Sequence, residues 1–167
     1  MPDKSHVGRR YVADGQVVDL DGAARFAAAV AGSDTVASDL GPVPPTYAAV
    51  SCLFPTLGQI ILDPELGIQL DGMVHAEQEF TWHQPVATGD VLNSTATIAE
   101  VEDKRGRTFV TVALEATRPQ TGARVLSGRA LLLLAQSAGA SPRVGGEADG
   151  LGPAASRGAS PPGNGGS

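Results

Sequence analysis

Few side chains in this sequence can move a proton near neutral pH, and their surroundings sort them quickly. The three histidines are His6, His75 and His83. His75 lies in the alternating run MVHAEQEFTW, on the side opposite Phe80 and Trp82, where an imidazole is more often a hydrogen-bonded structural group than a catalyst. His83 stands beside Pro85 and reads as a turn residue, and His6 lies near one end of the chain and carries no weight. Asp34 and Asp39 share a loop and are candidates for an acid and base pair, although carboxylates in polar loops are usually solvated. The single cysteine, Cys52, falls in an apolar run where a thiol is ordinary core, and alone it makes no disulfide within the chain. No cysteine or histidine cluster has metal-ligand spacing and no glycine-rich loop follows a strand, so neither a metal nor a cofactor is expected. Lys104, Arg105 and Arg107 crowd one turn, a solvated hairpin before it is a phosphate site.

What must position these groups is the stretch PPTYAAVSCLFPTLGQIIL, from Pro44 to Leu62. Its Tyr47, Val50, Leu53, Phe54, Leu57, Ile60 and Ile61 point in nearly every direction of a helical wheel, and a helix that is apolar all round is buried. Pro55 interrupts the run, and about 20 uninterrupted apolar residues are needed to cross a bilayer, so the burial expected is inside protein and no membrane partner is implied. Pro44 and Pro45 hold the approach extended, and Thr46 is placed to cap the first turn.

Upstream, Tyr11–Val18 reads as a short edge strand or an extended entry segment. Asp19 or Asp21 can cap a helix that runs to about Ala31 and stops at Gly32, with Phe26 and Val30 forming its narrow packing face. Downstream the period changes to two. Met73–Trp82, Val91–Val101, Thr108–Thr117 and Val125–Leu134 read as strands joined by Gly-containing turns, a meander whose last strand is apolar on both faces and therefore central. A strongly curved antiparallel sheet wrapped around one apolar helix satisfies both patterns. That is an α+β fold of the hot-dog type, with a generic α+β sandwich as the alternative. It occupies residues 1–135; residues 136–167 are rich in Gly, Ala, Ser and Pro and are expected to be a disordered tail. The net charge of -6 argues against nucleic acid, and the lack of an apolar run behind the first charges, together with one free cysteine, suggests the cytoplasm.

The block VHAEQEFTWHQPVATGDVL, from Val74 to Leu92, resembles the signature of MaoC-like dehydratase N-terminal domains: an H-x-E-Q-E-F strand leading to a Pro-x-x-x-Gly-Asp turn. PPTYAAV resembles that family's approach to the hot-dog helix, and GRALLLL its final strand. The resemblance covers most of residues 6–135. It implies an acyl thioester, on coenzyme A or an acyl carrier protein, that loses water from a 3-hydroxyacyl group or gains it at a 2-enoyl one. Such chemistry needs donors for the thioester oxygen as it gains enolate character, and the resemblance points to Thr46, Tyr47 and Ala48 at the helix start, with His75 as a further substrate contact.

Active members of that family carry the catalytic pair in a Gly-Asp-x-Asn-Pro-x-His loop. Here Asp34 matches the aspartate, but Val36 and Ala37 replace Asn and Pro, and Asp39 holds the His position. A carboxylate does not stand in for an imidazole near neutral pH. The loop is therefore read as inactive, and the chain as the silent half of a heterodimeric (R)-specific 3-hydroxyacyl dehydratase. Its expected partners are the acyl thioester and a catalytic hot-dog subunit, or a second copy in a homodimer. Two other readings stay open: a hot-dog thioesterase using Glu77 or Asp39, and a non-enzymatic acyl-thioester binding or scaffold protein.

Overall fold

Asp19 accepts a hydrogen bond from the Gly22 amide, and with that cap the chain leaves strand β1 (Arg10–Val17) for helix α1 (Leu20–Ala31). Gly32 ends the helix in the left-handed region, at φ 66°, where a side chain would be strained. The computed structural model describes residues 1–32 and 43–135. Asp34, Asp39 and the tail expected over 136–167 all lie outside the described residues. On α1, Ala23 and Ala24 are buried and Phe26 meets Tyr47 edge to face at 5.4 Å. Val30 is 67% exposed, so the Phe26/Val30 stripe expected from sequence is not a packing face: only its first member packs.

The central segment changes pitch twice. Pro45–Tyr47 is a 3₁₀ turn, Ala49–Leu53 is π-helical, and helix α2 (Phe54–Leu62) is α-helical. Pro55 explains the wide middle turn: it has no N–H to give Ser51, and its ring would crowd that carbonyl in a regular α-helix. The Phe54 amide reaches back five residues to the Ala49 carbonyl instead. Hydroxyls serve the surrounding carbonyls, Ser51 Oγ donating to Tyr47 O at 3.3 Å and Thr56 Oγ1 to Cys52 O and Leu53 O at 3.2 and 3.1 Å.

This segment spans 18 residues with mean hydropathy 1.3, enough by length and composition to cross a membrane, yet its inner side packs on a sheet. Leu53, Leu57 and Ile60 are buried with Val110, Val112 and Leu132; Tyr47, Ala48 and Cys52 form a second cluster with Val18, Leu92 and Leu126. Burial on all sides, expected from the helical wheel, is not what the fold provides. Val50, Phe54 and Leu62 are exposed, Leu62 to 80%, because the sheet covers one flank only.

That sheet has five antiparallel strands in the order β1-β3-β4-β5-β2, where β2 is Met73–Trp82, β3 Val91–Lys104, β4 Arg107–Thr117 and β5 Arg124–Ala135. Strands β3, β4 and β5 form the expected meander, and β5 is internal as its leucines require. Strand β2 departs from it: the chain crosses over, and β2 pairs with β5 at the far edge rather than with its successor. The curved sheet and the single central helix make a hot-dog domain.

A bulge in β2 corrects one side-chain assignment. Between His75 and Glu77 the pairing shifts, with His75 opposite Leu132 but Glu77 opposite Leu131. The strict alternation is thus interrupted at Ala76, and His75 shares the core-side face with Phe80 and Trp82 instead of facing away from them. Because β2 is an edge strand, His75 is still exposed.

Candidate functional site

Where the central segment begins, it faces the chain just beyond the end of β2, and between them lies a cavity of about 450 Å³. Val43, Pro45, Tyr47, Ala48 and Ser51 line it from the helical side; Trp82, His83, Gln84, Pro85 and Val86 line it from the other. The walls are mostly apolar with a few neutral polar groups, as expected of a small-molecule site. Among the described residues that line it there is no Asp, Glu, Lys or Arg.

Each wall is held in place by identifiable contacts. Tyr47 is 6% exposed, packs on Phe26 and points its hydroxyl at helix α1. A Cβ on Gly22 would stand 2.6 Å from that oxygen, so the approach needs glycine there. Burial, with the Asp19 carboxylate adding to it, raises the Tyr47 pKa above its ordinary value and keeps the phenol protonated at neutral pH. The opposite wall hangs on Arg118. Its Nη1 donates to Gln84 Oε1 at 2.6 Å, and its Nη2 to Pro85 O and to Asp90 Oδ2, both at 2.7 Å. Asp90 Oδ2 also accepts the Ala87 amide at 2.9 Å. These bonds, the Arg118 contact foremost, hold the Asp90 carboxyl below its usual range.

The far end of the central segment has its own polar clamp. Tyr11 donates to Asp63 Oδ2 at 2.6 Å, Arg9 Nη2 reaches the same oxygen at 2.9 Å, and Arg9 also pairs with Glu65. The Tyr11 hydroxyl is the main cause of the depressed Asp63 pKa. This clamp fixes β1 to the end of α2, away from the cavity.

Of the residues singled out in sequence, the cavity brings together Tyr47 and Ala48. Thr46 is exposed and caps nothing: the N-cap of the 3₁₀ turn is Pro44, with no side-chain bond. The helix-start donors also differ from expectation, since the Tyr47 amide already donates to Pro44 O and the Ala48 amide to Pro45 O and Thr46 O. His75 is on the β2 edge and does not line the cavity. Glu77 faces the outer side of the sheet, 3.4 Å from Arg129. Cys52 is buried with its pKa raised by burial, as plain core requires. Among the described residues no His, Cys, Asp and Glu group could hold a metal. Sequence reasoning missed His83, Ser51, Gln84 and Arg118. The available signal was position: His83–Val86 follow the strand whose end must approach the helix start.

Residues 5–127 match the FAS1-like dehydratase domain region. The chain belongs to this family. A UPF0336 protein of Streptomyces avermitilis is 34% identical over 121 residues, covering 66% of this chain and 80% of that one. The fold is shared with a C-terminally truncated HadBC (3R)-hydroxyacyl-ACP dehydratase complex of Mycobacterium tuberculosis, at TM-score 0.58 and 21% identity over 77% of this chain and 96% of the other. HtdX of Mycobacterium tuberculosis is similar at TM-score 0.61 and 19% identity, with 77% of this chain matching 51% of that longer one.

Proposed function

We propose that this chain is the substrate-binding half of an (R)-specific 3-hydroxyacyl-thioester dehydratase or 2-enoyl-thioester hydratase, with the acyl group in the cavity beside Tyr47 and the proton-transfer pair supplied by a partner hot-dog subunit. The observation that carries the reading is the cavity itself: an apolar slot in a dehydratase-type fold with no carboxylate among its described lining residues to pair with an imidazole. Dehydration takes a proton from C2 and the hydroxyl from C3 as water; hydration returns them. Both directions need an acid and base set together, and the loop sequence that should carry them has Asp39 in place of His.

Two features favour a partner. The edge of β2 is unpaired within the described residues, and an open strand edge is a ready site for another sheet. Val50, Phe54 and Leu62 leave an apolar flank uncovered on the central segment. The structurally similar HadBC is itself a complex. A thioesterase reading would use Glu77 or Asp39 to activate water; Glu77 is on the outer face with Arg129, outside the cavity, and lends it no support.

The test is hydration of crotonyl-CoA and crotonyl-acyl carrier protein, followed by loss of enoyl absorbance. The chain alone should be inactive, and activity should appear with a hot-dog partner that co-purifies from the native host and carries Asp and His. Strong hydration by the chain alone would overturn the silent-half assignment. Release of free thiol from an acyl-CoA without hydration would replace it with the thioesterase reading.

A further inference from the structure

The sheet ends in β1 on one side and β2 on the other, and the two edges are treated differently. Along β1 the Gln59 side chain of α2 donates through Nε2 to Val12 O at 2.8 Å, the Gly15 amide donates to Asn93 Oδ1 at 2.8 Å, and the pairing with β3 shifts between Ala13 and Gln16. A bulged edge whose backbone groups are taken by side chains is a poor template for another strand. Along β2 the bulge comes early, between His75 and Glu77, and residues 77–82 then run in unbroken register with β5. Among the described residues no strand pairs with the outer side of β2.

In that regular stretch Glu77, Glu79 and Thr81 lie on the outer face of the sheet, opposite Leu131, Arg129 and Ser127 of β5, and both glutamates are exposed. Arg129 turns inward from the edge: its Nη1 is 3.4 Å from Glu77 Oε2, and its Nη2 is 3.3 Å from Thr111 Oγ1 on β4. Glu79 has no ion pair among the described residues, and β2 itself contains no Lys or Arg. A second copy of this chain extending the sheet would run antiparallel to β2 across a two-fold axis, with the outer faces on the same side. An axis beside Glu77 or Glu79 sets that glutamate opposite its own copy. Beside Gln78 it sets Glu77 opposite Glu79 twice, and beside Phe80 it leaves Glu79 diagonal to its copy, about 7 to 8 Å away. Like charges so placed weaken strand pairing, and a Lys or Arg on the other strand strengthens it.

From this charge pattern, and resting on the proposal that a partner hot-dog subunit supplies the proton-transfer pair, we infer that the strand joining β2 belongs to a different subunit, one with Lys or Arg on the outer face of its edge strand, and that Glu77 and Glu79 oppose self-pairing of this chain. The open backbone attracts any strand. The two carboxylates make the choice between strands. The net charge of -6 acts in the same direction at longer range.

Charge reversal makes the full chain its own probe. Sedimentation velocity compares wild type, Glu77→Gln/Glu79→Gln, Glu77→Lys/Glu79→Lys, and an equimolar mixture of wild type with the Lys variant, with thermal unfolding to show that each is folded. The Gln variant should self-associate about two- to thirtyfold more tightly than wild type, and wild type should gain on it as salt screens the repulsion. The Lys variant alone should be as weak as wild type. The mixture should form a one-to-one complex at least about fourfold tighter than either homodimer, loosening with salt. Hydrogen exchange should show the β2 amides protected in that complex and those of β1 unchanged. Asp14→Lys/Glu100→Lys makes the same change in net charge at exposed sites off β2 and should not reproduce the preference. Wild type that dimerises through β2 as tightly as the Gln variant, a mixture no tighter than its parents, or no association through β2 in any sample would overturn the inference. A partner that co-purifies and restores crotonyl-CoA hydration but pairs with β2 through an acidic or uncharged strand would overturn it too, leaving the functional reading intact. Strong hydration by the wild-type chain alone fails that reading instead, whichever way the charge series falls.

Discussion

Replacing Arg118 by Met removes a guanidinium that makes three short bonds to one cavity wall while keeping its apolar stem. The Arg118 side chain is 22% exposed and that of Asp90 23%, so the pair sits between two measured regimes. Exposed ion pairs contribute about 0 to 1 kcal/mol, whereas breaking a fully buried pair costs about 3 to 5 kcal/mol because a charge is left unpaired. A hydrogen bond to a charged group nets about 1.5 to 3 kcal/mol, and Asp90 keeps the Ala87 amide as a second partner. The expected loss is therefore about 2 kcal/mol, or about 6 to 10 °C in Tm for a domain of this size. Circular dichroism melts of Arg118→Met, Asp90→Asn and the double variant check it: the double variant should lose less than the sum of the two single losses. Arg118→Lys should not restore the wild-type Tm, since one ammonium cannot match the planar fork that reaches Gln84, Pro85 and Asp90 together. A Tm for Arg118→Met indistinguishable from wild type, or strictly additive losses, would refute the view that this residue holds the wall.

Acid should unfold the protein through Asp63 and Asp90, whose carboxyls are held below the ordinary value of 3.8 by Tyr11 and Arg118 respectively. Their folded forms bind protons more weakly than the unfolded chain, so their contribution is present above pH 3.8 and is lost as pH falls through the depressed folded values. Melts as a function of pH should therefore show this loss below 3.8, and Asp63→Asn or Asp90→Asn should flatten that limb; unchanged limbs in both variants would contradict the assignment. Gly128→Ala puts a methyl 2.5 Å from the Glu79 carbonyl and should cost about 1 to 3 kcal/mol, with the β2 amides losing hydrogen-exchange protection before those of β4.

How legible this was depended on how local the cause is. The α1 caps at Asp19 and Gly32 and the hairpin at Arg105 and Gly106 are decided by adjacent residues, and the sequence marks them. The placement of β2 beside β5 is decided by a crossover, and no nearest-neighbour pattern encodes it. His75 was assigned to the wrong face because a bulge adds one residue to a strand without leaving a mark in its composition. The same limit hid His83 and Arg118. Their partners, Ser127 and Asp90, are 44 and 28 residues away, and only the folded sheet brings them together.

The wide turn at Ala49–Leu53 also says something about heredity. It lodges one residue more than an α-turn would, so the helix before it and the helix after it keep their phase on the sheet. A codon lost there shortens the segment without rotating α2, while a codon lost within Thr56–Ile60 turns the remainder of the helix by about 100° and carries side chains off the core. Shortening alone would press the Pro55 ring onto a carbonyl. Through descent, the slack and the proline must therefore be gained or lost as a pair.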